Sequence, residues 1–181
     1  MRIVAIVGMA GAGKSEVACV FEAKGFARIR FGDVTDAELR KQGLLVNEDN
    51  ERKMREMLRE NYGMAAYAIL NLTRLDVALK SGPVVIDGLY SWEEYTTLKE
   101  YYGANFLTVA VWASPEVRYE RLRVRPVRPL TEEEAFSRDQ AEIIRLNKGG
   151  PISMADYTVL NEDSLKDLEK EISRVIKKVV K

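Results

Sequence analysis

Histidine is absent from this 181-residue chain, and cysteine occurs once, as Cys19. The first absence excludes Ser-His and Cys-His catalysis and histidine-based metal sites. The second excludes an intrachain disulfide and fits a reducing compartment. With no histidine to activate it, Cys19 reads as a small core residue rather than a nucleophile. Glutamine is almost missing too, with only Gln42 and Gln140, a scarcity that fits a thermophilic source. No apolar run approaches the ~20 residues that a spanning helix needs. The opening apolar run is short and breaks into glycines rather than a cleavage site. The expectation is therefore a cytoplasmic protein with no membrane partner. Neither sign of charge is in excess, since Lys plus Arg and Asp plus Glu are 28 each. Net charge gives no reason to expect a nucleic-acid partner.

What is present alternates. Apolar, β-branched runs at Arg2 to Val7, Phe26 to Phe31, Pro83 to Asp87, Asn105 to Ala113 and Asp156 to Leu160 read as strands. Between them lie helical patterns, from Ser15 to Lys24, from Asn47 to Lys80 with a break near Gly63, and from Ser164 to the C-terminus. Thr131 followed by Glu134 is a capping box that opens another helix. Strand-helix alternation predicts one α/β domain over 1–181, a five-stranded parallel sheet with helices on both faces in three layers. The long helical stretch exceeds a minimal crossover. It is free to build a substructure over the carboxyl ends of the strands, where ligands bind in such sheets.

The segment GMAGAGKS, Gly8 to Ser15, fits G-x-x-x-x-G-K-[ST] between a strand and a helix. Phosphate oxygens must be met by several backbone N–H groups at once, and a side chain at Gly8, Gly11 or Gly13 would obstruct that approach. Ala12 lies in the same loop. Glu16 is in the first turn of the following helix, whose free N–H groups and dipole favour anions, and with Ala12 it is counted among the nucleotide-binding residues. Lys14 is placed to reach the β- and γ-phosphates, and the Ser15 hydroxyl to ligate Mg²⁺. The strand VVID ends in Asp87, which resembles the Walker B aspartate that holds the metal. The expected cofactors are ATP and Mg²⁺.

Three features point to a small-molecule kinase. FGDV sets Asp33 at the end of the second strand, where a carboxylate could orient an acceptor hydroxyl, although a helix N-terminal aspartate reads equally well. Arg52, Arg55 and Arg59 share one helix face within an acceptor-binding region expected at about 35–80, and neighbouring acids satisfy most of them. RLRVRPVRPL supplies Arg121, Arg123, Arg125 and Arg128 for a short lid at about 124–134, with Arg138 in the helix beyond. Cations around a transferring phosphoryl group and a lid that excludes water are what such a transfer gains from most. Trp92 and Trp112 read as packing residues.

The chain resembles the P-loop kinases of the nucleoside monophosphate kinase type, and among them the dephospho-CoA kinase branch. The resemblance rests on R-x-x-x-R at Arg121 and Arg125, on TEEEAFSRDQ from Thr131 to Gln140, and on ADYTVLNEDSL from Ala155 to Leu165. An uncharacterised adenylate kinase-related group is similar as well. The resemblance implies that Asn161 lies near the adenine, that Arg125 and Arg138 lie near the phosphates, and that Asp33 is the catalytic aspartate. Two departures bear on the acceptor. The adenylate kinase arginine after the second strand falls on Asp36, with Arg40 as a substitute, and DGLYS stands where D-G-x-P-R is usual. A hydroxyl acceptor such as dephospho-CoA is therefore expected ahead of a nucleoside monophosphate held by Arg40 with Arg52 or Arg59. A nucleotide-binding regulatory protein with little turnover is the reading from another class. The expected assembly is a monomer or homodimer.

Overall fold

The computed structural model describes residues 1–126 and 129–180. Its strands are β1 (Ile3–Val7), β2 (Ala27–Arg30), β3 (Val84–Asp87), β4 (Phe106–Trp112) and β5 (Tyr157–Leu160). The helices are α1 (Lys14–Ala23), α2 (Asp33–Lys41), α3 (Glu48–Tyr62), α4 (Ala66–Leu79), α5 (Trp92–Tyr102), α6 (Pro115–Val124), α7 (Glu132–Ile144), α8 (Gly149–Ser153) and α9 (Leu165–Val179). All strand pairs are parallel, in the order β2-β3-β1-β4-β5, which is the expected α/β fold.

Every residue of β1 is buried, as a central strand covered on both faces requires. Its side chains alternate between two cores, following the period of two. Ile3, Ala5 and Val7 join Val84 and Ile86 of β3 beneath residues of α2 to α5. Val4 and Ile6 face the other way, with Val85, Phe21 of α1 and Ile172 of α9. The closing helix is amphipathic for that reason, with Leu168, Ile172, Val175, Ile176 and Val179 forming its buried stripe. A smaller cluster of Ala10, Leu122 and Ala135 fastens the loop after β1 to α6 and α7.

The long helical stretch divides at Gly63, whose φ of 74° no β-branched residue would adopt readily. The Thr131–Glu134 capping box is present in both directions. Three readings need correction. Asp33 does not end a strand; it is the first residue of α2, as the helix N-terminal alternative had it, although the extent of that helix was not read from the sequence. Cys19 is exposed and accepts a hydrogen bond from Arg28 (3.0 Å) instead of filling the core. Trp112 is 46% exposed at the end of β4, whereas Trp92 packs as expected, stacked on Tyr95. Arg128, assigned to the lid, lies outside the described residues.

Candidate active site

Because β1 lies between β3 and β4, the crossovers run in opposite directions from it, and the carboxyl ends of these strands flank a crevice. The register pairs Ile6 with Asp87, so the loop after β1 and the end of β3 emerge side by side.

The loop from Gly8 to Gly13 is shaped by close approaches. Gly13 caps α1 with φ 92° and ψ 27°. A Cβ there would sit 2.2 Å from Asn161 Nδ2, and at Gly11 (φ 79°) one would sit 2.6 Å from the Arg118 carbonyl oxygen. Gly8 lies against the Val111 carbonyl. The Ala12 carbonyl accepts from Asn161 Nδ2 at 2.8 Å, and the Ala10 carbonyl from Arg118 Nη1 at 3.0 Å. Arg118 is itself buried and forks onto Asp139 of α7 (3.0 and 2.7 Å). Arg118 and Asp139 were missed in the sequence. Arg118 belongs to no motif and Asp139 lies unremarked within TEEEAFSRDQ, and only burial distinguishes them from the neighbouring surface charges.

Two clefts open beside the loop, and both are lined by Lys14 and Ser15. The first, of about 480 Å³, also holds Glu16, Arg121, Arg125 and Asn161. The second, of about 330 Å³, holds Asp87, Arg28, Arg30, Tyr90, Arg138, Glu142 and Lys148. The site residues expected from the sequence thus meet, but not in one place: Arg125 is on the first side and Arg138 on the second. Asp33 lines neither cleft. Its carboxylate pairs with Arg74 (3.1 Å) and lies 3.9 Å from Arg30. Of the α3 arginines, Arg52 pairs with Asp49 and Arg55 with Glu51, while Arg59 stacks over the Tyr67 ring (5.4 Å).

Lys14 points back onto its own loop, donating to the Met9 carbonyl at 2.9 Å. Burial, then the charge of Lys148, lowers its ammonium to about pKa 7. Glu142 sits between cations: Lys148 Nζ is 2.7 Å from one oxygen and Arg138 Nε 3.3 Å from the other. Burial would raise its carboxyl, but Lys148, Lys14 and Arg138 outweigh that and hold it at about 2. Sequence reading missed both Glu142 and Lys148; a lone lysine after a helix carries no motif. Asp87 is paired with Arg28 at 2.5 Å. The Ser15 hydroxyl and the Asp87 carboxylate share the second cleft, a hard-oxygen pair suited to a cation that keeps waters and phosphate oxygens as its other ligands. Among the described residues, no cluster of three or more carboxylate or thiol groups offers a metal cage, and no helix is long and apolar enough to cross a membrane.

A UPF0200 protein of Thermococcus kodakarensis is 36% identical, over 98% of each chain. Among solved structures, a shikimate kinase from Bacteroides thetaiotaomicron superposes with a TM-score of 0.61 at 15% identity, covering 99% of both chains. A dephospho-CoA kinase from Campylobacter jejuni gives 0.59 at 13% identity, covering 98% of this chain and 97% of the other. At such identities the structural likeness establishes the fold, that of the P-loop kinases. With the AAA_18 family model (AAA domain) matching residues 4–145, which include the glycine-rich loop and α1 to α6, the chain belongs to that family and groups with the UPF0200 proteins.

Proposed function

We propose that this protein is an ATP- and Mg²⁺-dependent small-molecule kinase whose acceptor is nucleotide-like, with dephospho-CoA the first candidate. The observation that carries the reading is the meeting of two clefts at Lys14 and Ser15. A simple nucleotide hydrolase needs one cleft; a transferase needs a donor side and an acceptor side that share the phosphoryl group. ATP occupies the first cleft, its phosphates on the loop amides and its base toward Asn161, with Arg121 and Arg125 along its flank. The acceptor enters the second.

In the reaction an acceptor hydroxyl oxygen forms the new bond to phosphorus as the bond to ADP breaks. The kinase resemblance assigns the hydroxyl proton to Asp33; because Asp33 lines neither cleft and pairs with Arg74 at 3.1 Å, that role requires the pair to open and the carboxylate to swing toward the second cleft. Lys14 leaves the Met9 carbonyl for the phosphate oxygens, and Arg138 meets the charge from the acceptor side. Ser15 and Asp87 would hold Mg²⁺, which would supply neutralisation of the phosphate charge.

The test is ADP release with Mg·ATP across dephospho-CoA, AMP, CMP, UMP, GMP and dTMP, with Lys14→Ala as the blank. Lys14-dependent turnover on dephospho-CoA is the expected result. Turnover confined to a monophosphate would reassign the acceptor, and nucleotide binding without turnover on any of them would favour a regulatory protein.

A further inference from the structure

Lys148 stands on the turn between α7 and α8, and its side chain is 1% exposed. Burying an ammonium is unfavourable unless its charge and its three donors are met. Among the described residues Lys148 Nζ makes one hydrogen bond, to Glu142, with the Tyr90 ring 5.7 Å away on another side. Lys148 is among the residues that line the second cleft. That wall carries five cations, Lys14, Arg28, Arg30, Arg138 and Lys148, against two carboxylates, Asp87 and Glu142. Arg28 is held by Asp87, and Arg30 turns toward Asp36 at 3.5 Å. Lys148 and Arg138 share the single carboxylate of Glu142, one on each oxygen. Two cations spaced by one carboxylate leave an excess of positive charge facing the cavity.

We propose that Lys148 and Arg138, spaced by Glu142, form a seat for an anionic group of the acceptor, a phosphomonoester or a carboxylate carried near the hydroxyl that receives the phosphoryl group. The assignment rests on reading the second cleft as the acceptor side. Lys148 lines that cleft and not the first, which separates its role from that of Arg121 and Arg125. The seat also explains why a lysine is buried here at all. A purely structural ion pair of this kind is often replaceable by apolar side chains without loss of stability. Its place in the lining of a cleft with excess positive charge gives this lysine a ligand to serve instead.

The experiment titrates inorganic phosphate and, separately, malonate into protein saturated with Mg·ADP, followed by calorimetry. At least one of the two anions binds the wild type, and the better one identifies the chemistry of the acceptor group. Lys148→Met weakens that binding by about tenfold or more, while its affinity for Mg·ADP stays within about twofold. Lys148→Arg restores most of the anion binding. Arg138→Gln, at a half-exposed side chain whose loss does not threaten folding, gives a smaller loss and decides the matter if Lys148→Met does not fold. Equal anion affinity in wild type and variants, or an ADP-loaded wild type that binds neither anion, overturns the seat. Should Mg·ADP itself fail to bind, the kinase reading falls. The same titration on Lys14→Ala protein, whose phosphate loop lacks its cation, then judges the seat by itself.

Discussion

Arg118 of α6 and Asp139 of α7 form a buried two-pronged ion pair, and the same guanidinium donates to the Ala10 carbonyl of the phosphate loop. One side chain therefore ties both α7 and the loop. Asp139→Ala leaves Arg118 buried without its counter-charge and should destabilise the fold by about 3 kcal/mol or more. Replacing both partners, Arg118→Met with Asp139→Leu, should recover most of that stability but not the affinity for Mg·ADP, because the tie to Ala10 is still missing. Urea denaturation and an ADP titration on the three variants check the split. Full recovery of both would mean that the pair serves stability alone.

Two of the three loop glycines, Gly11 and Gly13, differ in what confines them. Gly13 is crowded by a side chain, Asn161, and Gly11 by backbone, the Arg118 carbonyl. Gly13→Ala should abolish measurable nucleotide binding, and adding Asn161→Ala should restore part of it, since only strain at positive φ then remains. Gly11→Ala has no such rescue, because no truncation of Arg118 moves its carbonyl. Equal behaviour of the two double variants would contradict this geometry.

Lys14 carries a pH signature. Burial and Lys148 lower its ammonium to about pKa 7 in the free protein, so at pH 8 to 9 it is largely neutral. Polyphosphate binding favours the charged form and draws the proton back. Nucleotide binding should therefore take up close to one proton at pH 8.5 from this group and almost none at pH 6. Calorimetry in two buffers of different ionisation enthalpy measures the uptake, and Lys14→Ala should remove it.

Glu94 has the opposite shift. It is wholly buried at the start of α5. One of its oxygens accepts from the Tyr90 N–H at 2.8 Å, and the other has no partner among the described residues. Burial raises its carboxyl to about 7, against a weaker pull from the Tyr90 N–H. Between about pH 4.5 and 7 the folded chain holds a proton that the unfolded chain has lost, so this group subtracts stability as pH rises through that window. Glu94→Gln should be more stable than wild type at pH 8 by about 2–3 kcal/mol, with the advantage gone near pH 4.5. A flat difference across a series of urea midpoints would refute the shift.

The parts legible in the sequence were those with a local signature. The phosphate loop shows because glycines, a lysine and a serine at fixed spacing between a strand and a helix have one economical explanation. The sheet shows because β1 and β4 are apolar over most of their length. α2 was hidden because DVTDAELRK follows a strand directly, and its polar residues mask the two it buries, Thr35 and Leu39. Lys148, Glu142, Arg118, Asp139 and Glu94 were invisible for a common reason. A charged residue looks the same in sequence whether it faces water or the interior, and only the fold determines which.

The hydrogen bond from Asn161 to the Ala12 carbonyl joins residues 149 positions apart. Its consequence falls on the order of assembly. As the chain leaves the ribosome, the glycine-rich turn emerges 149 residues before the residue that braces it. Until β5 docks beside β4 and brings Asn161 across, the nascent protein carries a phosphate loop without its brace. The brace arrives only with the strand at the sheet's far edge, so a chain folded up to β4 has the turn without its support.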